Sequence, residues 1–105
     1  MQTNVESATL DSANDAVTIE LLNNTDVVFE LVFGTLSGST VTFEALGPSG
    51  TWTALGVTPS TGAAVATTAT AAGLWSASVR GYHSARMRLS TAGTGAGTGY
   101  AATGK

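Results

Sequence analysis

Between Thr40 and Leu55 the chain reads TVTFEALGPSGTWTAL, and the fold is decided there. Val41, Phe43 and Ala45 alternate with Thr42 and Glu44, so an extended chain puts three apolar side chains on one face and the polar ones on the other. Gly47, Pro48, Ser49 and Gly50 then cluster as turn formers, and Trp52 and Ala54 share a face of the return run. The stretch predicts a β-hairpin. The same period of two recurs upstream. Val17, Ile19 and Leu21 share a face between Ala16 and Leu22, and VVFELVF, Val27 to Phe33, is apolar on both faces except at Glu30. Such a strand suits the inside of a sandwich or a place partly under a partner.

Downstream, VTPSTG reads as a loop. The run AAVATTATAA, Ala63 to Ala72, has the alanine content of a helix. Its threonines and Val65, bracketed by Gly62 and Gly73, favour a strand. GLWSASVRGYHSARMRLS, Gly73 to Ser90, predicts two strands around the turn Arg80 to Ser84. On the second, Ala85, Met87 and Leu89 face the core while Arg86 and Arg88 share the opposite face. The closing TAGTGAGTGYAATGK is so rich in glycine that it reads as a terminal strand with a weak packing face and uncertain register, or as a flexible tail. Residues 1–15 are polar and lack periodicity, which predicts an arm outside a domain spanning 16–105. The expected class is all-β: a single antiparallel β-sandwich or jelly-roll-like domain with a polar N-terminal arm.

Composition narrows the function. The chain has 105 residues, enough for one modest core. Charged residues make up 10% of it, against about 25% in ordinary globular domains, so its surface is largely neutral hydroxyls and methyls. Apolar content of 43% and mean hydropathy of +0.22 argue for a folded chain. A net charge of −3 gives no general attraction to nucleic acid. No apolar run reaches the roughly 18 residues of a spanning helix, and MQTNVESATL lacks the basic start and apolar stretch of a signal peptide. With few charges to blunt its edge strands, such a domain is expected to bury an edge or face against another subunit.

No set of residues predicts catalysis or metal binding. His83 and Ser84 are chain neighbours on a turn, whereas a nucleophile and its base usually come from separate elements. Asp11 to Asp15 and Asn23 to Asp26 offer oxygen ligands without an EF-hand loop, and one histidine cannot build a multi-histidine zinc site. Asn23-Asn24-Thr25 matches a glycosylation acceptor without a secretory signal, and GTGAGTG, Gly93 to Gly99, lacks the Lys-Ser/Thr of a phosphate loop. No catalytic, cofactor or metal residue is therefore assigned. Trp52, Trp75, Tyr82 and Tyr100 would make a sugar-stacking platform if several lay exposed on one face, although strand positions of Trp52 and Trp75 favour the core. Charge is polarised along the chain: all seven acids precede residue 45 and all four bases follow residue 79. Either first strands pair with last, or the fold presents opposite patches to neighbours. The candidate contact residues are Arg80, Arg86, Arg88, Glu30 and Glu44.

The succession VTFEALGPSGTWTAL, a threonine-rich spacer, GLWSASVRGYHSARMRLS and a glycine- and threonine-rich close resembles small β-sandwich domains among structural proteins of tailed bacteriophages. The resemblance covers about Val27 to Thr91 and is anchored at Phe43, Glu44, Trp52, Gly73, Leu74, Gly81, Arg86 and Arg88. Pro48 stands where such domains more often carry Asp-Gly, and the final strand lacks their β-branched alternation. The resemblance implies a non-enzymatic virion protein, foremost a capsid decoration or cement protein assembled in the host cytoplasm, with a tail accessory role next. Its expected partners are the major capsid protein or other virion proteins and copies of itself, a homotrimer by preference. No nucleic acid, membrane or cofactor is implied. The competing expectation is a carbohydrate-binding module of a tail fibre or extracellular protein, using Trp52, Trp75 or Tyr82.

Overall fold

The computed structural model describes residues 5–22, 24–33 and 37–104. The predicted hairpin is there, with β4 (Thr40–Leu46) turning into β5 (Trp52–Ala54). The Gly47 N–H donates to the Thr51 carbonyl at 3.1 Å, and the Gly50 N–H to the Gly47 carbonyl at 3.0 Å. Around it lie β1 (Val5–Leu10), β2 (Ala16–Glu20), β3 (Asp26–Phe33), β6 (Thr58–Pro59), β7 (Thr68–Ala69), β8 (Gly73–Ser78), β9 (Ser84–Thr91) and β10 (Gly97–Gly104). One sheet has the order β1-β10-β3-β8-β6; the other has β2-β9-β4-β5, with β7 also on β4. Apart from the β4–β5 hairpin, the chain crosses between sheets at every step, and all pairings are antiparallel. β1 pairs β10, β2 pairs β9, β3 pairs β8 and β4 pairs β7, a nested order that is a jelly roll.

The core follows from the alternation. Val27, Phe29 and Leu31 of β3 and Trp75 of β8 face Val41, Phe43 and Ala45 of β4 and Ala85, Met87 and Leu89 of β9, all buried. Phe43 reaches across the sandwich to both aromatic neighbours, 5.6 Å from the Phe29 ring and 5.0 Å from the Trp75 ring, each tilted. Tilted rings at these distances gain quadrupole attraction beyond their buried area. This cluster ties the two sheets together.

The structure corrects several boundaries. Of the expected arm, Val5–Leu10 is β1, paired in register from Val5↔Ala102 to Leu10↔Gly97. Leu10 is its one buried residue, so the alternation that would have announced a strand is faint. Residues 11–15 form a loop pinned by Asp15, whose Oδ2 accepts from the Asp11 and Ser12 N–H groups at 3.1 and 3.0 Å. The expected strand Ala63 to Ala72 shrinks to Thr68–Ala69 plus a bridge from Ala66 to Val57, because alanine and threonine bury too little apolar area to offset ordering a full strand. The expected loop VTPSTG contains β6, where Pro59 takes an edge position that needs no donor. Residues 1–4, Asn23 and Lys105 lie outside the described residues, and with them the acceptor asparagine.

The largest difference is β10. Eight residues long, it runs between β1 and β3 instead of trailing away. Its inward positions are Gly97, Gly99, Ala101 and Thr103, all buried. A Cβ on Gly99 would lie 2.8 Å from Met87 Cε, 3.1 Å from Val17 Cγ1 and 3.2 Å from Leu10 Cδ1. The strand is bare because large side chains from the opposite sheet and from β1 fill the space in front of it.

Candidate functional site

Sequence reasoning singled out charges and aromatic rings; the fold distributes them over two outer faces and one turn. On the outer face of the β2-β9-β4-β5 sheet, register sets Arg86 opposite Glu44 and Arg88 opposite Thr42. Glu44 Oε1 accepts from Arg86 Nε at 2.7 Å and from Arg88 Nε at 3.0 Å, while its Oε2 lies 3.4 Å from Arg88 Nη2. Arg88 Nη1 donates to Asn14 Oδ1 at 2.9 Å, and the Arg86 guanidinium lies over the Trp52 ring, 4.0 Å from its centroid. Burial pushes the Glu44 carboxyl up, but hydrogen bonds from Arg88 and Arg86 and the charges of both hold it below its ordinary value.

This arrangement joins Glu44, Arg86 and Arg88 within one chain, an intrachain pairing that the expectation of arginine contacts with a neighbour's acids did not include. Both Nε groups are committed to Glu44, so one of the seven acids meets two of the bases where β4 pairs with β9. The expected core position of Trp52 is corrected. It is half-buried on the outer face under Arg86, because its position on the return strand of the hairpin shares the Glu44 face. Trp75 is in the core at 7% exposure, as its strand position predicts. Tyr82 is exposed in the turn after β8, together with Arg80, Gly81 and His83. The turn is closed by the Tyr82 N–H donating to the Val79 carbonyl at 3.1 Å, and Gly81 takes φ +91°, which strongly favours glycine.

The outer face of the other sheet is of a different kind, and here Glu30 sits. Three cross-strand rows define it: Thr9, Thr98 and Val32; Ser7, Tyr100, Glu30 and Leu74; and Val5, Ala102, Val28, Ser76 and Thr58. Val5, Val28, Val32, Leu74 and Tyr100 remain exposed at 63, 38, 47, 41 and 38%. Tyr100, Glu30, Leu74, Val28 and Val5 line a shallow groove of about 180 Å³ with one carboxylate in its wall. Of these apolar residues the sequence pointed only to Tyr100, as a ring that could stack on sugars, and to none of the aliphatic ones as a site. The signal was present in VVFELVF, whose second apolar face is the Val28 and Val32 face. The valine, leucine and tyrosine that extend it come from β1, β8 and β10, two of them strands without clear alternation.

Among the described residues, no group of three or more His, Cys, Asp or Glu is placed to hold a metal ion. By fold, the chain is a jelly-roll domain whose exposed chemistry lies on its two sheet faces and one end turn. No protein-family model and no curated protein sequence matches it. It shares its fold with the SPBc2 prophage-derived protein YomS, at a TM-score of 0.78 and 15% identity over 98% of this chain and 95% of that one. It also superposes on PBSX exported protein XepA, at a TM-score of 0.80 and 14% identity over 98% of this chain. The match covers 38% of XepA, so this chain spans well under half of that protein's length. A β-1,3-glucan binding CBM6 from Bacillus halodurans is more distant, at a TM-score of 0.47 and 14% identity over 99% of this chain and 85% of that one. At these identities the shared property is the fold.

Proposed function

We propose that the chain is a non-enzymatic structural component of a phage virion, a capsid decoration or cement protein that adheres to the shell. The observation that carries this reading is the outer face of the β1-β10-β3-β8-β6 sheet. Five large apolar side chains lie uncovered there on one surface of a domain with little charge, which is the usual mark of a protein contact. The end-to-end likeness to a prophage-derived protein supports the setting. The mechanism is adhesive: burial of apolar area and hydrogen bonds across neighbouring shell subunits, with the major capsid protein as partner.

The test is cosedimentation with phage shells stripped of accessory proteins. Saturable binding that raises the shells' resistance to heat supports the reading. A protein that stays in the supernatant at every concentration overturns it, and a polysaccharide panel then tests the carbohydrate-binding alternative, for which Trp52, Tyr82 and Tyr100 are the candidate rings left outside the core.

A further inference from the structure

We infer that the chain associates with copies of itself head to face: the Arg80–His83 turn of one copy seats in the groove beside Glu30 of the next. The two surfaces are complementary in charge and kind. The groove face carries Asp26 and Glu30 and no base among its described residues, and Glu30 lies in a row between the apolar side chains of Tyr100 and Leu74. Arg86 and Arg88 are held by Glu44, so among the described residues Arg80 is the cation outside an ion pair. It projects from the same short turn as the exposed ring of Tyr82. The turn thus offers one cation and one aromatic ring. The groove offers one carboxylate, aliphatic side chains and a tyrosine face against which a guanidinium also stacks well.

Charge also excludes the simplest alternative. A two-fold stack of the groove face on itself would bring Glu30 and Asp26 of both copies together with no base among the face's described residues to separate them, and like charges across an interface disfavour docking. A contact between unlike surfaces leaves each copy with a free turn and a free groove. It therefore closes into a ring, as the expected trimer requires, or runs on as an open chain. The five strands, two to eight residues long and 30 residues in all, give the whole face about 480 Å² from the spacings of a sheet, of which the turn covers a part. That is below the roughly 800 Å² per partner of a standard stable interface. The association is accordingly weak in solution and concentration-dependent.

This inference goes beyond shell binding and does not rest on it: the turn takes the groove beside Glu30, and the Thr9, Thr98 and Val32 row of the same face stays open to the shell. Sedimentation equilibrium to about 0.5 mM, a range suited to weak interfaces, is run on the full chain, Glu30→Arg, Arg80→Glu and the double variant. Both residues are exposed, so each variant is expected to retain the native circular dichroism. The expected result is reversible association, weakened at least about tenfold by either single reversal and restored when both are combined. A wild-type chain that stays monomeric throughout, or an oligomer that both single variants leave unchanged, overturns the inference. A monomer that still binds shells overturns this inference alone; an oligomer that ignores shells overturns only the proposed function.

Discussion

Glu44 concentrates the electrostatics of the second sheet in one carboxylate. Its pKa is held below the ordinary 4.5, so its contribution to stability is complete above that value and is lost as pH falls through the lower, folded value. Glu44→Gln is expected to cost about 1–2 kcal/mol at pH 7, since it weakens charge-assisted bonds that solvent partly screens. Urea denaturation checks this: the gap between variant and wild type should narrow as pH falls below 4.5, and a gap independent of pH would refute the assignment. The exposed Asp15, lowered chiefly by the Asp11 and Ser12 N–H groups, adds to the same acid limb in both proteins. The tryptophans differ in kind. Wild-type fluorescence should contain a component accessible to acrylamide, from Trp52, and Trp52→Phe should leave the blue-shifted, protected emission of Trp75 alone. Alternation revealed the outward face of Arg86 and Arg88. It could not reveal their partner, because Glu44 lies 42 and 44 residues away and only the register of β4 on β9 brings it opposite.

At the scale of elements, the strands that announce themselves are those whose inward side chains are large. β2, β3, β4 and β9 bury valine, isoleucine, leucine, phenylalanine or methionine at every second position or nearly so, β8 buries the single large ring of Trp75, and each was legible within a residue or two. β1 and β10 are built the other way round. They supply backbone hydrogen bonds and, Leu10 apart, small inward residues, while β2 and β9 supply most of the volume, so most of their evidence is written on other strands. Gly99 tests this division of labour. An added methyl gains about 0.4–1 kcal/mol through the unfolded chain, but it must displace Met87 Cε and crowd Val17 and Leu10, and overpacking costs about 1–3 kcal/mol. The thioether tip yields more easily than the two branched side chains, so Gly99→Ala should be destabilised by about 1–2 kcal/mol in chemical denaturation. Pairing it with Met87→Ala should recover part of the clash, making the double variant more stable than the sum of the single losses implies. Strict additivity would mean that β10 is not limited by the opposite sheet.

The whole molecule is one long chain folded back on itself, so that its first and last described strands are neighbours and β10 closes the sheet between β1 and β3. The class, an all-β sandwich, was readable from alternation and turn spacing. The nested order was not, since it rests on pairings between segments as much as about 97 residues apart, such as Val5 with Ala102. That order gives β10 a stability its composition hides. Its amides are bonded to strands on both sides, and three of its outward residues, Thr98, Tyr100 and Ala102, knit the rows of the exposed apolar face. Native-state hydrogen exchange should therefore find amides of residues 98–103 opening only with global unfolding, alongside those of β3. The two-residue strands β6 and β7 should exchange through local opening at far lower free energy. If β10 instead exchanged like a loop, the closing of the jelly roll would be a loose contact, and the apolar face would not be rigid enough to present a fixed groove. Protection of β10 equal to that of β3 is thus the condition under which the composite face can bind a partner with its rows in register.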